Sequence, residues 1–174
     1  VEGAAYTWGQ NYSGQLGLGD HGDGTDRLVP TLVDGVNGVV AVAGGGNLHS
    51  LALGRDGTVM ACGNNNDGQL GLGDTDDRDT FTVVPSLSGV VDIDAGDDHT
   101  IAVTCEGEVW TWGQGQATGH GVDDEYTLCL VPTKVTGGGI GEDVVVQVAA
   151  GDFHSMAKTA SGELYAWGQR NRGQ

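Results

Sequence analysis

Three histidines, His49, His99 and His154, each sit beside residues able to work with an imidazole: Asn47 in the first case, Asp97 and Asp98 in the second, Asp152 and Phe153 in the third. Met singly, a histidine next to a carboxylate suggests general acid–base catalysis or metal ligation. Recurrence changes that reading. The histidine returns in one frame: Gly46-Asn47-Leu48-His49-Ser50-Leu51-Ala52, Gly96-Asp97-Asp98-His99-Thr100-Ile101-Ala102 and Gly151-Asp152-Phe153-His154-Ser155-Met156-Ala157. An enzyme needs one place where a nucleophile, a base and an orienting group converge, and repetition offers none. A residue that every copy requires is expected to hydrogen-bond neighbouring backbone, so no catalytic residue is predicted. His21 and His120 lie outside the frame, and nothing converges on them.

Other residues with chemical potential are weighed the same way. Asp20 to Asp26 and Asp74 to Asp79 are acidic loops without the oxygen-ligand spacing, central glycine and distant glutamate of a calcium-binding EF-hand; solvated loops are expected. Cys62, Cys105 and Cys129 are an odd count with no CxxC or Cys/His spacing, so neither a zinc site nor any other metal or cofactor is predicted. Cys62 occupies a slot that tryptophan fills in the other copies, as a small buried hydrophobe. Asn11-Tyr12-Ser13 matches a glycosylation acceptor, but Asn11 is a turn asparagine whose side chain is expected to be engaged locally.

The elements that position these residues repeat with them. Trp8-Gly9-Gln10-Asn11-Tyr12-Ser13-Gly14-Gln15-Leu16-Gly17 returns from Gly63 as Asn64-Asn65-Asn66-Asp67-Gly68-Gln69-Leu70-Gly71, returns altered after Trp112-Gly113, and begins again at Trp167-Gly168. Each frame histidine is followed eight residues later by a glycine (Gly57, Gly107, Gly162) and six after that by another (Gly63, Gly113, Gly168). Such periodicity marks an array of units that bury their faces against one another. In the third copy Gly113 and Gly121 keep the eight-residue separation of Gly9 and Gly17, which aligns Thr118-Gly119-His120 with Gly14-Gln15-Leu16 and predicts a surviving, less well anchored turn.

Within a copy the chain reads as four strands. Val39 to Ala43, Val90 to Ala95 and Val144 to Ala149 are apolar runs suited to a crowded centre. A short strand follows each histidine, then a hairpin at Asp56-Gly57, Glu106-Gly107 or Ser161-Gly162, then a strand ending at the tryptophan slot. Pro30, Pro85 and Pro132 place the fourth strand at an edge, where a missing N–H costs nothing. Trp8, Trp112 and Trp167 are expected to pack between units.

These motifs resemble the regulator of chromosome condensation repeat: an aromatic-Trp-Gly strand end, an Asn-x-x-Gly-Gln-Leu-Gly turn and an Ala-Gly-x-x-His-[Ser/Thr] strand start. The resemblance covers essentially the whole chain and implies an all-β fold, an arc of about three four-stranded β-propeller blades plus the start of a fourth, with repeats at about 3–56, 57–106, 107–161 and 162–174. It implies a non-enzymatic protein-interaction platform, a segment of a larger regulatory protein, with guanine nucleotide exchange on a small nuclear GTPase as the alternative. The implied partner is another protein, and the partner-contacting positions that match the family's loops are Asn47, His49, Asp97, Asp98, His99, Asp152, Phe153 and His154. The family's exchange factor also uses an inserted wedge, and no copy here shows such an insertion. A light-sensing branch carries tryptophans just before the frame histidine; Leu48, Asp98 and Phe153 stand there, with Asn47, Asp97 and Asp152 one earlier, so light sensing is not expected. Remaining blades are expected from a parent chain or from other copies, and the expected compartment is intracellular, cytoplasmic or nuclear.

Charge narrows the partners. Seven Lys plus Arg against 24 Asp plus Glu give a net charge of −17 over 174 residues. Such a surface repels phosphate backbones, so direct nucleic-acid binding is not expected. No apolar run approaches the ~20 residues of a membrane span. Glycine, at 33 residues, supplies turns and positive-φ positions.

Overall fold

The computed structural model describes residues 3–121, 124 and 126–169. Among the described residues thirteen strands form four antiparallel sheets, with one short helix beside them. β1 (Tyr6–Gly9) pairs with β2 (Arg27–Leu32). Two complete blades follow: β3 (Val39–Gly45), β4 (His49–Gly54), β5 (Val59–Gly63) and β6 (Arg78–Val83); then β7 (Val90–Ala95), β8 (His99–Thr104), β9 (Val109–Gln114) and β10 (Leu128–Lys134). The last sheet holds β11 (Val145–Gly151), β12 (His154–Thr159) and β13 (Leu164–Gly168). Within each complete blade, strand order in space equals order in sequence, the meander expected of a propeller. Helix α1 (Gly115–Thr118) lies between β9 and β10.

The edge assignment holds for Pro30 and Pro132, which lie within the outer strands β2 and β10. Pro85 departs from it: β6 ends at Val83, and the chain turns through Ser86 at φ 63°. Inner strands alternate, with Val40 and Val42 of β3 turned out and Ala41 and Ala43 turned toward the next blade.

Three apolar seams hold the blades together. Ala5, Val33, Val36 and Ala52 fill the first; Leu51, Leu70, Val84, Ile93 and Trp112 the second; Ile101, Val103, Val135, Val145 and Val148 the third. Neighbouring inner strands do not share a backbone ladder. In the third seam carboxylates stand in for it: Asp92 accepts from Val148 N at 3.1 Å and Asp94 from Ala150 N at 2.8 Å.

Tryptophan behaves as expected at two of three sites. Trp112 is fully buried and Trp167 half-buried, but Trp8 is 60% exposed. The reason is positional: Trp112 and Trp167 each lie under the turn of the preceding blade, and among the described residues no such turn stands against β1.

Candidate functional site

The frame histidines are built into the seams. On each inner pair the histidine faces a glycine: Gly45 opposite His49, and Gly151 opposite His154. A Cβ at Gly45, Gly96 or Gly151 would come within 2.1–2.2 Å of the imidazole Cε1, so these positions must be glycine for the ring to pack against the backbone there. His49 and His99 are each 1% exposed.

Their partners lie on the next blade. His49 Nε2 stands 3.4 Å from Thr100 Oγ1, and His99 Nε2 3.0 Å from Ser155 Oγ. Each hydroxyl in turn donates to a turn carbonyl of the blade before, Thr100 to Gln69 O and Ser155 to Ala117 O, both at 2.8 Å; Ser50 does the same to Gln15 O. A hydroxyl has one proton, already spent on the carbonyl, so the imidazole Nε2 is the donor and the neutral Nε2–H tautomer is required. The same carbonyls accept a second bond from the tryptophan slot: Trp112 Nε1 to Gln69 O at 2.8 Å and Trp167 Nε1 to Ala117 O at 3.0 Å. Histidine, hydroxyl, turn carbonyl and indole thus make one lock in each of the second and third seams.

Burial keeps these imidazoles neutral. Desolvation, helped by the neighbouring His99, lowers His49 to about 3; desolvation, helped by His154, lowers His99 to about 4. The Nδ1 of His49 is buried without a partner. A base so placed reaches no substrate, and the lock accounts for its recurrence. The expected bond to neighbouring backbone is present at His99, beside the backbone of His154, and a side-chain hydroxyl across the seam, itself bonded to backbone, adds to it.

In the first seam Cys62 replaces the indole, 3.5 Å from Gln15 O, and is fully buried. Phe81, from β6, fills the space the indole vacates: a Cβ on Gly17 would meet the Phe81 ring and Cys62 Sγ, as one on Gly71 or Gly119 would meet the indole of Trp112 or Trp167. Those glycines also reset the third turn. Gly119, not Gly121, is the equivalent of Gly17 and Gly71, and Ala117 takes the place of Gln15 and Gln69. The turn is two residues shorter than the eight-residue frame implies, α1 replaces it, and His120 falls where Leu18 and Leu72 stand. There His120 is half-buried, 3.0 Å from Thr111 Oγ1, and burial lowers its pKa.

The turns are anchored by the acidic loops, which are not merely solvated. Asn11 is fully buried, donates to Asp20 and receives Leu16 N on Oδ1; Asn65 does the same with Asp74 and Leu70 N. Asp26 and Asp77 accept from the backbone N–H of those asparagines. Asn11 therefore offers no accessible amide for glycosylation.

What remains at the surface is the loop rim between first and second strands. Asn47 Nδ2 donates to Asp98 at 2.6 Å, Gly46 N to Gly96 O and Asp97 N to Asp152 O, which draws three successive loops together. Burial, then the like charges of Asp152 and Asp98, raises Asp97; burial and Asp98 raise Asp67, a turn residue that the sequence reading passed over. The structure thus divides the expected contact residues. Asn47, Asp97, Asp98, Asp152, Phe153 and His154 lie on or near this rim, while His49 and His99 are withdrawn into the seams, a correction that follows from their burial. Among the described residues, no group of three or more His, Cys, Asp or Glu stands ready to hold a metal ion.

The model of the Regulator of chromosome condensation (RCC1) repeat matches residues 2–53, 56–103 and 106–157. The chain belongs to this family. Human E3 ubiquitin-protein ligase HERC2 is 37% identical over 99% of this chain, and the bovine secretion-regulating guanine nucleotide exchange factor is 36% identical over 95%. Among solved structures, Prp20p of Saccharomyces cerevisiae superposes with a TM-score of 0.80 at 26% identity over 99% of the chain; its structure is described with its binding properties to Gsp1p and histones. The chain spans 4% of HERC2, 35% of the exchange factor and 43% of the Prp20p chain.

Proposed function

We propose that this chain is a non-enzymatic protein-interaction platform whose contact surface is the rim made by the 46–48, 96–98 and 151–153 loops, with His154 at its end. The observation that carries the reading is the clustering of Asn47, Asp97, Asp98 and Asp152 from three blades on one rim, with Asp97 raised by burial and then by the like charges of Asp152 and Asp98. Carboxylates crowded enough to repel one another gain from a cationic partner, and a net charge of −17 steers such a partner in over long range. The fitting partner is a protein presenting Lys or Arg. Membership in a family whose relatives include regulatory proteins supports this reading.

The second reading, nucleotide exchange on a small GTPase, is favoured by the similarity to the bovine exchange factor. One experiment separates the two. Gsp1p loaded with a fluorescent nucleotide, and separately core histones, are titrated with the chain and with an Asp97→Asn/Asp98→Asn variant. Binding that weakens tenfold or more in the variant without faster nucleotide release supports the platform. Accelerated release supports exchange, and binding indifferent to both substitutions overturns the rim as the contact surface.

A further inference from the structure

Of the asparagines in the chain, only Asn37 is followed by glycine. That pair carries a reaction within itself. The glycine nitrogen, with no Cβ beside it, can attack the asparagine side-chain carbon and close a five-membered ring. Two conditions decide whether a folded chain permits this: the nitrogen must not be engaged in a hydrogen bond, and the backbone must have room to turn.

Both conditions are met at Asn37. It lies exposed in the connection between β2 and β3. Neither its side-chain amide nor Gly38 N has a hydrogen-bond partner among the described residues; Gly38 engages only its carbonyl, which accepts from Arg55 N at 2.9 Å. Gly38 stands at φ 69°, and a Cβ built there would meet nothing within 4 Å, so the space a ring needs is open. The exposure belongs to the slot rather than to this blade: Ser88, its counterpart in the next connection, is exposed as well. The counterpart in the last connection, Asp143, shows the opposite case. There the following nitrogen, Val144 N, is held by the Asp143 carboxylate at 2.7 Å, and Ser161 N reaches the other oxygen at 3.2 Å. The other asparagines are worse placed: Asn11 and Asn65 are fully buried, and Asn47 donates to Asp98. Asp23, Asp34, Asp56 and Asp67 also precede glycines, but a carboxylate resists attack by nitrogen.

We propose that Asn37 is a modification site, at which the folded chain converts it to aspartate and isoaspartate with water as the only other reactant. Gly38 N gives up its proton to base and bonds to Cγ of Asn37. The Cγ–Nδ2 bond breaks, and Nδ2 leaves with a proton as ammonia. Water then opens the cyclic imide. Cleavage at Cγ gives aspartate on the original backbone; cleavage at the main-chain carbon gives isoaspartate, with the chain routed through the side chain. One water is consumed, one ammonia is released, and nothing is oxidised or reduced. Either product adds a carboxylate to a chain of net charge −17. In the aspartate product the carboxylate takes Gly38 N, as Asp143 takes Val144 N. In the isoaspartate product the main chain is one carbon longer just before β3, which displaces Gly38 O from Arg55 N.

The test incubates the full chain at physiological temperature across neutral and mildly alkaline pH, then digests it in acid for mass spectrometry with site assignment by fragmentation. The amide-to-acid mass gain is expected at residue 37, at a rate that rises with pH and lies within tenfold of a synthetic peptide of residues 33–42. Asn37→Asp supplies the elution standard for the aspartate product, and a second, isobaric species marks isoaspartate. Asn37→Gln abolishes the gain at this position, because the larger ring closes slowly. Gly38→Ala slows it tenfold or more, and the same change in the peptide covers the case in which alanine at this φ disturbs the fold. A folded chain that reacts more than tenfold slower than the peptide overturns the proposal, as does a gain at Asn47 or Asn66 as fast as that at Asn37. A rate indifferent to pH overturns the attack by Gly38 N.

Discussion

Replacing Thr100 by valine tests the seam lock with almost no change of shape. Thr100 is fully buried, donates to Gln69 O at 2.8 Å and accepts from His49 Nε2. Valine keeps the volume and removes both functions. Gln69 O retains the indole of Trp112 at 2.8 Å, so the carbonyl stays satisfied. His49 Nε2–H does not, because the ring is 1% exposed and its other nitrogen already lacks a partner. A lost neutral hydrogen bond is worth about 1 kcal/mol and a stranded buried donor about 1–3 kcal/mol. The sum, about 2–4 kcal/mol, lowers the melting temperature by roughly 5–15 °C for a chain of this size. Thermal unfolding followed by circular dichroism reads this directly, with Thr75→Val on an exposed loop as control. A Thr100→Val midpoint within about 1 °C of the control would refute the lock as a stabilising element.

Four further outcomes follow from the same geometry. Gly71→Ala, at φ 71° and against the Trp112 indole, is expected to cost about 2–4 kcal/mol, whereas Gly22→Ala, at φ 88° in open space, costs about 1; denaturant titration of both separates crowding from backbone strain. Cys62→Trp is expected to destabilise because Phe81 holds the indole's space, and Cys62→Trp/Phe81→Ala to recover most of the loss, which a double-mutant cycle measures. His49 and His99 carry pKa values of about 3 and about 4, below the unfolded value near 6.5, so the unfolded state binds more protons as pH falls. Their contribution is whole above pH 6.5 and is lost as pH drops toward 4, at about 1.4 kcal/mol per pH unit for each histidine; replacing both by glutamine flattens that limb of the stability–pH curve by up to two protons. Asp94→Ala, which strands Ala150 N and Ala95 N, is expected to lower stability by about 1–3 kcal/mol, read by chemical unfolding.

The strands were legible because their signals are local: the hairpin glycines, the edge prolines and the Trp-Gly strand ends all act within a few residues of themselves. Contacts across seams were not. His49 meets Thr100 and His99 meets Ser155, 51 and 56 residues apart, and no local pattern names such a partner. The repetition of Ser50, Thr100 and Ser155 directly after each histidine was the available clue. The third turn was misaligned because Gly119 and Gly121 both fit a glycine frame, and only packing against Trp167 selects Gly119. Asp92 and Asp94 were visible as carboxylates in an otherwise apolar inner strand. Their task, receiving N–H groups of β11, appears only once the blades are side by side. Trp8 was expected inside on the strength of Trp112 and Trp167. Burial is a property of the neighbouring blade, and none of the described residues packs over Trp8 as the turns at Gln69 and Ala117 do over Trp112 and Trp167.

Neutral, buried histidines join the blades beneath the rim proposed for partner contact. Long-range nitrogen–proton correlation spectra of the imidazoles, recorded from pH 7.5 to 5.5, test this most directly. His49 and His99 are predicted to remain in the Nε2–H tautomer across the range, with Nδ1 unprotonated. Titration of either ring near pH 6.5, or an Nδ1–H tautomer, would contradict it.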